Sequence, residues 1–162
     1  MGASGWSYFV PYQPDINKAL QELRQKVFQE GDYFKPAEWA KQLYERQIIG
    51  EEELNDTLEE LALIPEPRTI EELIEQRAEE GSHSIIDINR VSSVPEICTI
   101  APLPQEEYIR LFSTDKPTRK MIEEKEEEMY SNLNMPSWSG FYMTIYANNL
   151  PVEIFFIGFS GD

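Results

Sequence analysis

The chain has 162 residues and sets 30 Asp and Glu against 14 Lys and Arg, a formal charge of −16. A field of that sign repels phosphate backbones and anionic membrane surfaces, sets nucleic acid and membranes aside as partners, and favours basic or neutral proteins. An apolar fraction of 41%, with eight Phe and eight Tyr, argues against disorder, and the length suits one domain over 1–162 with a real core.

Trp6-Ser7-Tyr8-Phe9-Val10-Pro11-Tyr12 reads as a short strand. Pro11 has no N–H for a ladder, which places the strand at a sheet edge or ends it. Pro14-Asp15 opens a helix, with Ile16, Ala19, Leu20, Leu23, Val27 and Phe28 at helical spacing and Gly31 as its stop. Pro36-Ala37-Glu38 resembles a first helical turn, with Trp39, Ala40, Leu43 and Tyr44 behind it, and Gly50 breaks it. Glu51 to Leu63 predicts another helix, ended by Pro65-Glu66-Pro67. Thr69-Ile70-Glu71-Glu72 is a capping box for a helix that Gly81 closes.

Beyond Gly81 the β-branched run Ser84 to Val91 predicts a strand, and Glu96 to Ala101 a second. Pro104 and Pro117 each open a helix, and Asn132 to Gly140 is a loop. Residues 141–146 and 152–159 flank Asn148-Asn149-Leu150-Pro151, which predicts a hairpin with a four- or five-residue loop. Its second strand is apolar on both faces, so it belongs inside the sheet with cover on each side. The architecture is α+β: an antiparallel or mixed sheet of four to five strands, a helical insertion after the first strand and a C-terminal β-hairpin.

Cys98 is the single cysteine, so no intramolecular disulfide forms, and its apolar surroundings suit a buried inert thiol. The first residues lack a signal-peptide pattern, Trp6 breaks the myristoylation pattern, and no apolar run approaches a membrane span. A cytoplasmic protein is the expectation.

Between Glu51 and Glu80 stand twelve carboxylates and two arginines, about −10 of the charge. A second run, Glu123 to Glu128, sits on the helix after Pro117. Charge on an amphipathic helix is ordinarily a solvated face; the functional reading is an acidic surface for a basic partner, centred on Glu72, Glu75, Glu79 and Glu80. Neither run has the alternating ligands and glycine turn of an EF-hand.

His83 is the only histidine, which leaves at most one imidazole base and no His–His metal pair. On a regular strand His83, Ile85 and Asp87 share a face, and a histidine beside a carboxylate suits a general base or an anion sensor. A loop histidine bonded to local backbone is the plainer alternative. Trp6, Tyr8, Val10 and Tyr12 share one strand face, and Tyr142, Thr144 and Tyr146 another. If the two coincide without helix cover, they make a ligand wall joined by Trp138; otherwise they are ordinary core. Gly158-Phe159-Ser160-Gly161-Asp162 lacks the helix that follows a nucleophile elbow and reads as a solvated end. Phosphate loops, Cys-x-x-Cys pairs and H-E-x-x-H are absent, so no cofactor and no metal are expected.

The segments Met1-Gly2-Ala3-Ser4-Gly5-Trp6, Gly81-Ser82-His83-Ser84-Ile85-Ile86-Asp87 and Gly158-Phe159-Ser160-Gly161-Asp162 resemble a small bacterial family of unknown function found in cyanobacteria and actinobacteria. The resemblance implies no activity, cofactor or catalytic residue. Size, the acidic belt and the missing catalytic constellation together favour a non-enzymatic interaction protein, such as an immunity- or antitoxin-type inhibitor or an adaptor. The alternative is a small enzyme or ligand-binding domain using His83 and Asp87 beside the aromatic face.

Overall fold

The computed structural model describes residues 4–161. Met1–Ala3 and Asp162, which form part of the resemblance and of the N-terminal pattern, lie outside the described residues. The fold is α+β: a mixed sheet built from β1 (Gly5–Pro11), β2 (Arg90–Val91), β3 (Thr99–Pro102), β4 (Ser139–Ala147) and β5 (Leu150–Phe159), in the order β1-β5-β4-β3-β2. Strand β5 runs antiparallel to both of its neighbours, β1 and β4, while β4, β3 and β2 run parallel to one another. Helices α1 (Ile16–Glu30), α2 (Pro36–Glu45), α3 (Glu51–Ala62) and α4 (Ile70–Gln76) form the insertion after β1; α5 (Gln105–Phe112) and α6 (Arg119–Asn132) precede the hairpin.

The period-two rule divides the sheet into two cores. Phe155 and Ile157 face α5 and α6 with Met143 and Ile145; Ile154 and Phe156 face α1 with Trp6 and Ile100. All four of these β5 residues are fully buried, as befits a central strand covered on both faces. Strand β1 is at the edge, where Pro11 is tolerated.

The helix starts follow from their caps. Asp15 accepts from the Lys18 amide at 2.9 Å, and Gly31 ends α1 at φ +66°. Thr69 accepts from the Glu72 amide at 3.2 Å, but the Glu72 carboxylate reaches the Arg68 amide, at 2.7 Å, one residue ahead of the cap. Helix α4 ends at Gln76 rather than at Gly81, because Arg77–Glu80 unwind into a turn.

Two further expectations change. The hairpin closes through Asn148 and Asn149 alone, both at positive φ, and the register shift falls between Ile145 and Tyr146, next to Pro151. Asparagine is among the few residues that accept that pair of left-handed positions. The strand predicted over Ser84–Val91 shrinks to β2, preceded by a 3₁₀ turn at Ile85–Asp87. Ser84 caps that turn by accepting from the Ile86 amide, and Asp87 folds back to the Ser82 amide; these local bonds override the β-branched pattern. His83, Ile85 and Asp87 therefore do not share a strand face.

Candidate functional site

Helices α2 and α3 pack mainly on each other and stand off the sheet as an arm. Pro36 starts α2 at its first turn, and Gly50 leads into α3, where Glu51, Glu52 and Glu53 suit the positive end of the helix. Across residues 36–62 only Ala40 is buried. Trp39 is 46% exposed, a large apolar surface to leave in water.

Between this arm and the turn after α4 lies a cleft of about 520 Å³. Phe34, Trp39, Leu43, Ile49 and Leu61 supply apolar lining, and Phe34 and Trp39 meet edge to face at 6.3 Å. Glu53 from α3 and Glu75, Glu79 and Glu80 from α4 and its turn form the acidic part of the lining. Arg77 also lines the cleft, and its Nε is buried with no hydrogen-bond partner among the described residues. A second cleft of about 420 Å³ shares Pro36, Leu61, Gln76 and Arg77.

The two acidic runs differ in how they are neutralised. On α6, Glu123 pairs with Arg119 at 2.9 Å, Glu124 with Lys120 at 3.8 Å and Glu128 with Lys125 at 2.5 Å, while Glu126 accepts from the Ser7 hydroxyl. Among the described residues, none of the twelve carboxylates from Glu51 to Glu80 has a Lys or Arg nitrogen within 4.0 Å. Three of the four residues singled out from the sequence, Glu75, Glu79 and Glu80, line the cleft; Glu72 is spent on its capping bond. Sequence reading missed Phe34, Trp39 and Glu53 as partners of these carboxylates.

The His83 region is a buried polar knot behind that cleft. Asp87 is buried and accepts from the Ser82 amide at 2.8 and 3.1 Å and from the Ser160 hydroxyl at 2.6 Å. Ser82 and Ser84 hydroxyls bond each other at 2.8 Å. Gly81 sits at φ +79°, and a Cβ there would lie 3.0 Å from both Asp87 Oδ2 and the Trp138 ring, so glycine is needed twice over. Buried Arg24 donates to the Ile86 carbonyl at 3.0 and 3.2 Å; burial lowers its pKa, while the charges of Glu71 and Asp87 raise it.

His83 stands at φ +54°, its ring stacked 4.5 Å from Phe34 and its Nδ1 3.2 Å from the Ser4 hydroxyl. No hydrogen bond joins His83 to Asp87 among the described residues, whose carboxylate is engaged elsewhere. The structure does bring Trp138 beside this knot. It also aligns Tyr8, Phe156 and Tyr142 across the sheet, but α1 covers that face, Trp6 is buried within it, and Tyr12 lies exposed at the far end of β1. Ser160 and Gly161 are buried rather than solvated.

Cys98 is half-buried; burial chiefly, with the Asp87 charge behind it, raises its pKa and favours the protonated thiol. Among the described residues no group of three or more His, Cys, Asp and Glu side chains is placed to hold a metal, and no helix is long and apolar enough to cross a membrane. Comparison with protein-family profiles, curated proteins and solved structures finds no match.

Proposed function

We propose that the chain is a non-enzymatic interaction protein that takes a basic protein partner on its acidic belt in the cytoplasm, as an immunity- or antitoxin-type inhibitor or an adaptor does. The carrying observation is that four of the unpaired carboxylates, Glu53, Glu75, Glu79 and Glu80, line the cleft under the α2–α3 arm, whereas those of α6 are largely paired. An ion pair within the chain has already spent its field; an unpaired carboxylate keeps it for an approaching cation. Such charges speed encounter more than they tighten the final complex, and salt weakens them. The same field disfavours nucleic acid.

The alternative centred on His83 and Asp87 draws less support, because Asp87 is committed to Ser82 and Ser160 and the cleft under the arm is lined by Phe34 rather than by His83. The test is capture from the native host at low salt, read by mass spectrometry. The unmodified chain retains basic proteins. A Glu53→Lys, Glu75→Lys, Glu79→Lys, Glu80→Lys variant loses them, while Glu124→Lys, Glu127→Lys on α6 does not. Equal loss from both variants, or a set of retained proteins that is not basic, overturns the reading.

A further inference from the structure

The cleft holds two kinds of surface that do not ordinarily stand bare together. Its apolar lining of Phe34, Trp39, Leu43 and Leu61 would be stabilised by a hydrophobic cover, and among the described residues none covers Trp39 fully. Its acidic lining attracts cations. Arg77 decides how the two are divided. Arg77 lines the cleft with no carboxylate within 4.0 Å among the described residues, and its Nε is buried. A positive charge there repels an ammonium or guanidinium group, so cations settle on the carboxylates and the space beside Arg77 suits an uncharged group.

We infer that the cleft is the anchor pocket of the basic partner and takes one bulky apolar side chain, flanked on its own chain by Lys or Arg. The inference rests on the proposed function and names the chemistry of what is bound. The apolar side chain packs against Trp39 and Leu43, and the flanking cations meet Glu53 on one side and Glu75, Glu79 and Glu80 on the other. A volume of about 520 Å³ holds a phenylalanine or leucine side chain with room for its main chain. Interfaces concentrate their energy in such an anchor, with charge around the rim fixing the register.

Two short synthetic peptides test this with the full chain: acetyl-Lys-Lys-Phe-Lys-Lys-amide and the same peptide with Ser in place of Phe. Each carries a fluorophore, and anisotropy is measured at low ionic strength. The Phe peptide binds about tenfold or more tighter than the Ser peptide, the gain expected for burying one aromatic side chain. Trp39→Ala removes most of that difference and leaves the Ser peptide unchanged; Trp39→Phe restores part of it. Circular dichroism checks that the variants stay folded. Equal affinity for the two peptides, or a Phe preference that survives Trp39→Ala, overturns the anchor while leaving the electrostatic reading intact. Failure of both peptides to bind overturns both.

Discussion

The sheet and the α2–α3 arm are built on opposite principles. In β5, Ile154, Phe155, Phe156 and Ile157 are all fully buried, and two helical layers close over them. In the arm, 27 residues (36–62) bury Ala40 alone. Burial of apolar area is the main source of stability, so the sheet accounts for the fold and the arm adds little to it. Under the proposed function, helices that contribute so little to stability and carry unpaired charge beside a cleft serve a partner outside the chain.

The largest expected effect is in the sheet. Phe156→Ala removes a side chain with no exposed surface and costs about 3–5 kcal/mol in denaturant unfolding. A loss below about 1 kcal/mol would place the core elsewhere. Asp87→Ala comes next. It leaves the buried Ser82 amide and Ser160 hydroxyl without their acceptor, at about 1–3 kcal/mol. Thr69→Ala removes the cap of α4, the element between arm and sheet, and costs about 0.5–2 kcal/mol. Smallest are the changes in the acidic lining of the cleft: Glu53→Lys on the arm and Glu75→Lys on α4 shift stability by about 0.5 kcal/mol or less, as exposed positions do. A larger penalty there would make the belt part of the fold and blur the contrast.

Alkaline titration sharpens the same contrast. Burial pushes the phenols of Tyr8, Tyr108 and Tyr130 up to about 12 from an ordinary value of 10, and all three pack on the sheet. Each holds its proton more tightly when folded. The stability this represents is complete below pH 10 and is lost as pH rises from 10 towards 12. Melting temperature should fall across that window, and the Tyr108→Phe variant should fall less steeply.

Much of the sheet was legible in the sequence because its signals are local. Asp15, Gly31 and Thr69 mark helix ends through bonds within four residues, and the apolar run 152–159 announces a strand covered on both faces. The Ser84–Val91 segment misled for a local reason too: two side chains, Ser84 and Asp87, bond the backbone and curl a β-branched run into a 3₁₀ turn. Pro151 suggested a longer hairpin loop, but the register shift beside it lets two asparagines close the turn. The cleft was only half legible. Glu75, Glu79 and Glu80 stood out as charge, whereas Phe34, Trp39 and Glu53 come from 22 to 46 positions away and join them only through the packing of the arm. An available sign was the arm's own imbalance, with Trp39, Leu43 and Leu61 offering more apolar surface than two short helices can cover.

The most direct measurement is the association rate of the captured basic partner with the full chain, followed by stopped flow over a range of ionic strength. The account predicts a steep fall with salt, abolished in the Glu53→Lys, Glu75→Lys, Glu79→Lys, Glu80→Lys variant while its unfolding free energy stays within about 1 kcal/mol of the unmodified chain. A salt-independent rate that the charge reversal leaves unchanged would contradict it.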